Sequence, residues 1–239
     1  MSAINSAKRI SVLLAEDHEI VRAGLRKLLE AENDIVVLDE ASTGRQAVAL
    51  AKRLAPDIIV MDISMPLLNG VEATRHILQS DPEAKVLILS AHGDDAYIER
   101  AMSVGAKGYL IKQTSAHTLI EAIRKIQKGG KFMSPDIAPR HEKRNKGVLD
   151  RKGRSKKRIN SLSSRETEVL QLVAEGNANK QIADELGISI KTVEKHRDSL
   201  MRKLDIHDTA SLTRYAIAEG VIECEVQLII VPPADDTQP

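Results

Sequence analysis

Residues 56–70 read PDIIVMDISMPLLNG. Four apolar residues, Ile58, Ile59, Val60 and Met61, run straight into Asp62. A short apolar run that ends on a charge predicts a central parallel strand, buried on both faces. Pro56 before it, and Met65-Pro66 with Asn69-Gly70 after it, are breakers that bound the strand. Asp62 is therefore expected at the carboxyl end of a strand, where open α/β sheets bind their ligands. Alone, such a residue does no more than mark where a strand surfaces, so the flanking sequence has to discriminate.

Working outward, the pattern repeats. Ile10–Ala15 is a second buried-strand run and ends on Glu16-Asp17. Ile35–Leu38, Val86–Leu89 and Gly108–Ile111 predict three more strands, the last two ending on Ser90 and on Lys112-Gln113. Helical spacing of apolar residues fills the gaps at Glu19–Ala31, Gly44–Leu54, Val71–Leu78, Asp94–Ser103 and from Ser115 to about Gln127. Five alternations of strand and helix call for an α/β, doubly wound, five-stranded parallel sheet. In such a sheet Glu16, Asp17, Asp62, Ser90 and Lys112 all emerge on one edge. Three carboxylates so close repel strongly unless a cation joins them. Mg²⁺ is the expected one, since it takes oxygen ligands and needs only one or two carboxylates from the protein.

Composition narrows the class. The 239 residues are 42% hydrophobic and 29% charged, as expected of a globular protein with room for two domains. A single cysteine, Cys224, excludes an internal disulfide and a cysteine-rich zinc site. No apolar run approaches the ~20 residues of a membrane span, and Glu16-Asp17 interrupts the one signal-like start. A cytoplasmic protein with no membrane partner is expected. The net charge of +1 conceals a partition: residues 140–158 carry ten Lys/Arg against two Asp/Glu, which leaves −7 for the rest. Phe132, Tyr97, Tyr109 and Tyr215 are the whole aromatic complement, too few for a platform that stacks single-stranded nucleic acid.

The periodicity stops from Phe132 to Asn160, where Pro135, Pro139 and the basic run predict a soluble linker. Beyond it, Leu162–Ile222 is all-helical. Ser163 with Glu166 forms a capping box, Asn179–Leu186 is a short helix, Gly187 makes a turn, and Ser189 caps a helix to about Leu204. Helix, glycine turn and helix make a helix-turn-helix. On the last of these, Val193, Leu200 and Leu204 lie opposite Lys191, Lys195, Asp198 and Arg202, the two-faced arrangement a major-groove helix needs.

Residues 1–130 resemble the receiver domain of bacterial response regulators. LSSRETEVLQLVAEGNANKQIADELGISIKTVEKH, from Leu162, resembles the LuxR-type DNA-binding domain of the NarL/FixJ subfamily. The resemblance implies a flavodoxin-like receiver over 8–130, a basic flexible linker over 131–160, a helix-turn-helix domain over 161–222 and a tail over 223–239. It implies that Asp62 is a phospho-acceptor, and that Glu16, Asp17, Asp62 and the Ser64 carbonyl hold Mg²⁺. Ser90 and Lys112 would bind the phosphoryl oxygens, and Tyr109 would be a rotamer switch that moves inward on phosphorylation. Lys191–Arg202 would be the recognition helix, with Lys191, Thr192, Glu194, Lys195, Asp198 and Arg202 facing DNA. Asp208–Ala218 would pack DNA-bound dimers.

The implied function is a two-component transcription regulator, phosphorylated by a sensor histidine kinase, homodimeric when active and bound to double-stranded DNA, with RNA polymerase a further candidate partner. It is expected to be no enzyme beyond slow self-dephosphorylation. Two departures stand out: the helical unit is net acidic, with Glu194 and Asp198 on or beside the DNA face, and the tail has no assigned role. A regulator whose receiver only dimerises is an alternative. An aspartyl-phosphate phosphohydrolase is another, yet it needs a second carboxylate where Ser64 stands, and a cap for which there is no room. A Rossmann dehydrogenase fails because no Gly-rich turn follows the first strand.

Overall fold

The computed structural model describes residues 9–138 and 162–222. The tail and most of the basic linker lie outside the described residues. The first unit runs β1 (Ile10–Ala15), α1 (Glu19–Glu30), β2 (Ile35–Ala41), α2 (Gly44–Leu54), β3 (Ile58–Asp62), α3 (Gly70–Ser80), β4 (Val86–Ser90), α4 (Asp95–Ser103), β5 (Gly108–Ile111), α5 (Ala116–Gln127) and β6 (Phe132–Met133). All strands are parallel, in the order β2-β1-β3-β4-β5-β6. The order reverses between β1 and β3, so the crevice for a ligand opens above the carboxyl ends of those two strands.

Alternation along the strands builds two cores. Leu13, Ala15, Ile59, Met61, Ile88 and Tyr109 point to the face covered by α2, α3 and α4. Val12, Leu14, Ile58, Val60, Leu87, Leu89 and Leu110 point to the face covered by α1 and α5. Every residue of β3 and β4 is buried, as their unbroken apolar runs require. Side-chain caps start the helices where short polar residues stand: Thr43, Asn69 and Ser115 accept from the backbone N–H of Gln46, Glu72 and Thr118. Gly70 has no substitute, because a Cβ there would meet the Asp62 carbonyl oxygen at 1.8 Å. This close approach sets α3 directly against the end of β3.

One expectation needs correction. The sheet has six strands, not five, because Phe132-Met133 pairs with Gly108-Tyr109. Ser134 and Ile137 are buried beyond it, so the packed unit extends into what the sequence presented as linker. A two-residue strand is too short to leave a periodic signal.

The second unit comprises α6 (Ser164–Ala174), α7 (Asn179–Leu186), α8 (Ile190–Leu204) and α9 (Thr209–Ala218). Val169, Leu172, Ile182, Leu186, Val193, Leu200, Leu204 and Leu212 form its core. The capping box at Ser163 and Glu166 is present, and Gly187 turns the chain at φ 61°. Glu166 does more than cap. It is buried, and its carboxylate also accepts from Ser199 Oγ at 2.7 Å and Lys203 Nζ at 2.7 Å, tying α6 to α8. Burial alone would raise its pKa, but Lys203, the Ser163 backbone and Ser199 outweigh that and hold it at about 2.

The pKa of Glu166 is lowered on folding, so its contribution is complete above its ordinary value of 4.5 and is lost as pH falls towards about 2. Glu166→Gln should therefore weaken the helical unit at pH 7 by roughly 2–4 kcal/mol, since it leaves Lys203 without its buried partner. Faster hydrogen exchange across α6 in the full chain, with the difference from wild type shrinking towards pH 3, is the expected reading. Equal protection at pH 7 would show that the pair is dispensable.

Candidate functional site

The register of the sheet assembles the site. Ala15 pairs with Met61, so Glu16 stands level with Asp62 across the neighbouring strand. Asp62 pairs with Leu89, and Ser90 with Ile111, which brings the ends of β4 and β5 alongside. The Lys112 backbone N–H donates to the Ser90 carbonyl at 2.7 Å and holds the β5 end in place.

The side chains then converge. Lys112 Nζ donates to Asp62 Oδ2 at 2.9 Å and lies 2.9 Å from Glu16 Oε2. Glu16 and Asp62 are both buried, whereas Asp17 is half-buried. Carboxylate oxygens of Glu16, Asp17 and Asp62, with an imidazole nitrogen of His18, all lie within 4.8 Å of one another. Asp62 Oδ1 is buried and has no hydrogen-bond partner among the described residues. Ser64 follows two residues on in the loop after β3 and is half-buried. Hard oxygen donors around one buried, unsatisfied carboxylate oxygen suit a Mg²⁺ ion.

Electrostatics explain how three acids are tolerated. Burial, and after it the charge of Glu16, raises Asp62 from 3.8 to about 6, against the opposing pull of Lys112. Burial would lower Lys112, but Asp62 and Glu16 outweigh it and raise its pKa. The ammonium is thus firmly charged and stands beside a carboxylate that ionises close to neutrality.

Ser90 is fully buried, and its Oγ accepts from the His92 backbone N–H at 3.0 Å. The Tyr109 ring lies inward in this structure, with no exposed surface, and its hydroxyl donates to the His92 carbonyl at 2.7 Å. This is one of the two positions that the expected switch would alternate between. His18 and His92 were not singled out from sequence. The first had a signal, since it directly follows the acidic pair, while the second had none.

On α8, Lys191, Glu194, Lys195, Asp198 and Arg202 are exposed along one side. Thr192 is less available: it is half-buried, and its hydroxyl pairs with the capping Ser189 Oγ at 2.8 Å. Lys195, Asp198, Met201, Arg202 and His207 line an open groove on this side.

The doubly wound unit with an acid-and-lysine pocket, joined to a helix-turn-helix unit, places the chain in the two-component response regulator family with a LuxR-type DNA-binding domain. Residues 12–124 match the family "Response regulator receiver domain", and residues 160–216 match "Bacterial regulatory proteins, luxR family". The chain is 33% identical over 226 residues to the transcriptional regulatory protein DegU of Brevibacillus brevis, covering 90% of this chain and 96% of that one. It is 36% identical over 217 residues to the response regulator protein VraR of Staphylococcus aureus, covering 90% and 99%. A solved structure of the Salmonella typhimurium RcsB response regulator aligns with TM-score 0.54 and 29% identity, over 89% of this chain and all of the other.

Because Asp62 binds its proton more tightly folded than unfolded, its ionisation costs stability as pH rises from 3.8 through about 6. Asp62→Asn should therefore stabilise the metal-free protein at pH 7.5 by about 1–3 kcal/mol, and the gain should vanish below pH 4. Thermal unfolding of both proteins across pH tests this. A less stable variant at pH 7.5 would mean that Lys112, not burial, governs the site.

Proposed function

We propose that this response regulator takes a phosphoryl group on Asp62 from a partner histidine kinase and thereby controls its pairing on duplex DNA. The buried Asp62 carboxylate, with one oxygen unsatisfied and Lys112 on the other, carries the reading. An Asp62 oxygen attacks phosphorus in line, and the phosphorus–nitrogen bond of the donor imidazole breaks with its electron pair returning to nitrogen. Lys112 shifts from the carboxylate to an oxygen of the transferred group, and the Ser90 hydroxyl donates to another. Glu16, Asp17, Asp62 and the Ser64 carbonyl would hold Mg²⁺, which when bound offsets negative charge on the transferring group.

Access for a kinase is supported by α1. Ile20 is 89% exposed at the start of that helix, immediately after the acidic cluster, with Val21 exposed beside it. An apolar pair next to an acceptor pocket suits transient docking. No helix of the described residues is long and apolar enough to cross a membrane, in keeping with a cytoplasmic site of action. The chain acts as acceptor rather than enzyme on this reading, with slow loss of its own phosphoryl group.

Duplex binding is supported by α8 and by two RcsB structures similar to this chain. One is titled as an RcsB–DNA complex (28% identity, TM-score 0.54), the other as two RcsB dimers bound to two parallel DNAs (27%, 0.53). By analogy two chains would pair, and each would place α8 in the major groove.

Intact-mass measurement with acetyl phosphate tests the acceptor. Wild type should gain one phosphoryl group, and EDTA should abolish the gain. An Asp62→Asn chain that still gains a phosphoryl group under these conditions would overturn the assignment.

For DNA, Lys195→Ala should weaken operator binding by ~1–3 kcal/mol without unfolding the unit. Asp198→Ala should relax preference at one base pair, as expected of a carboxylate accepting from cytosine N4. Salt-titrated binding to an operator and a scrambled duplex separates this from phosphate repulsion, whose removal would tighten both and steepen the salt slope. Unchanged affinity in both variants would place α8 outside the groove.

A further inference from the structure

The turn from β1 into α1, Glu16 to His18, carries two of the three carboxylates at the sheet edge, and one side chain of α1 holds it. The Glu16 backbone N–H still pairs with the sheet, donating to the Ala41 carbonyl at 2.9 Å. From there three successive carbonyls accept from Arg22. Its Nη1 donates to the Glu16 carbonyl at 2.8 Å and to the Asp17 carbonyl at 3.2 Å. Its backbone N–H donates to the His18 carbonyl at 2.9 Å. Its Nε donates to Glu40 Oε2 on β2 at 3.1 Å, and Arg26 Nη1 takes the other oxygen, Oε1, at 2.8 Å.

This arrangement answers a local need. His18, at the start of α1, makes no side-chain cap bond, unlike Thr43, Asn69 and Ser115 at the starts of α2, α3 and α5. A carboxylate reaches where its backbone aims it, so the peptide planes after Glu16 and Asp17 decide how those two side chains meet at the edge. A planar guanidinium bonded to both carbonyls and to β2 is a rigid reference for those planes. The Arg22 and Glu40 side chains are both largely shielded from solvent, where such bonds hold better than on an open surface.

We propose that Arg22, braced by Glu40, is a positioning residue for the divalent-cation site, setting the reach of Glu16 and Asp17 and thereby the affinity for Mg²⁺. The proposal rests on Mg²⁺ binding at this edge. Arg22 acts through the backbone of the acidic pair, and outer partners of metal ligands commonly weigh 10–100-fold in metal affinity. Its charge works the other way. A guanidinium beside a cation site repels the cation, so by charge alone its removal would tighten binding. Position and charge therefore predict opposite signs.

The test titrates Mg²⁺ into the full chain and into Arg22→Lys, Arg22→Ala and Arg124→Ala. Backbone amides followed by NMR give the affinity and report the fold in the same spectra. Arg22→Lys keeps the charge and loses the fork, whereas Arg22→Ala loses both. Arg124→Ala breaks another guanidinium pairing, with Asp34 and Glu32, at the opposite edge of the sheet. Both Arg22 variants should bind Mg²⁺ more weakly than wild type, the alanine by about 10-fold or more, and Arg124→Ala should bind as wild type does. Wild-type affinity in Arg22→Lys, or tighter binding by Arg22→Ala, would overturn the positioning role and leave charge as the whole effect. An equal loss in Arg124→Ala would overturn it too, since loosening the fold anywhere would then suffice. Arg22→Lys decides alone should Arg22→Ala not fold. If wild type binds no Mg²⁺, the metal reading fails and takes the proposal with it, whereas unchanged variants beside a binding wild type overturn the brace alone.

Discussion

Two buried carboxylates and one ammonium at a single sheet edge set the terms for the whole molecule. Glu16 and Asp62 face each other across β1 and β3 because the strand order reverses there, and neither is exposed to solvent. Like charges at that separation, out of water, are tolerable only with a cation between them, and Lys112 supplies one from β5. The compensation is incomplete, as the elevated pKa of Asp62 and its unsatisfied oxygen testify. A divalent cation at this edge would relieve that residual repulsion, whereas a phosphoryl group would add negative charge that Lys112 and such a cation would have to offset.

The sequence made this edge legible because each of its residues ends an apolar run. Ile58–Met61 into Asp62, Val86–Leu89 into Ser90 and Gly108–Ile111 into Lys112 are abrupt changes of character, and a parallel sheet turns such changes into one edge. The helix-turn-helix was legible for a different reason: Ser163, Gly187 and Ser189 punctuate it with residues whose conformations caps and turns demand. β6 escaped because two residues carry no period. The buried state of Tyr109 escaped because a strand residue followed by two apolar neighbours gives no sign of which rotamer packing selects.

The contacts between the units were illegible for a more general reason. Gln171 and Glu168 sit on a helix whose periodicity assigns its inner face to Val169, Leu172 and Val173, and two polar residues on the other face look solvated. In the structure both are almost completely buried, Gln171 against the β3–α3 loop and Glu168 between His76 and Arg165. Burial of polar groups at this density is stable only because each finds a partner with matching geometry. The partnerships of Gln171 with Asn69 and of Glu168 with His76 join residues some hundred positions apart, and no local pattern encodes them.

The outward residues of α8 are exposed in this structure, so packing of the helical unit against the first unit does not cover them. Affinity for a paired site depends instead on whether two helical units are tethered together, since the second then binds at the effective concentration set by the first. That gain is commonly 10²–10⁴-fold, with no new contact to DNA. The helical unit is net acidic, with Glu194 and Asp198 exposed beside its lysines, so general attraction to phosphates contributes less than it would on a basic unit. On the proposed function, two paired units would bind with an avidity that a lone unit lacks.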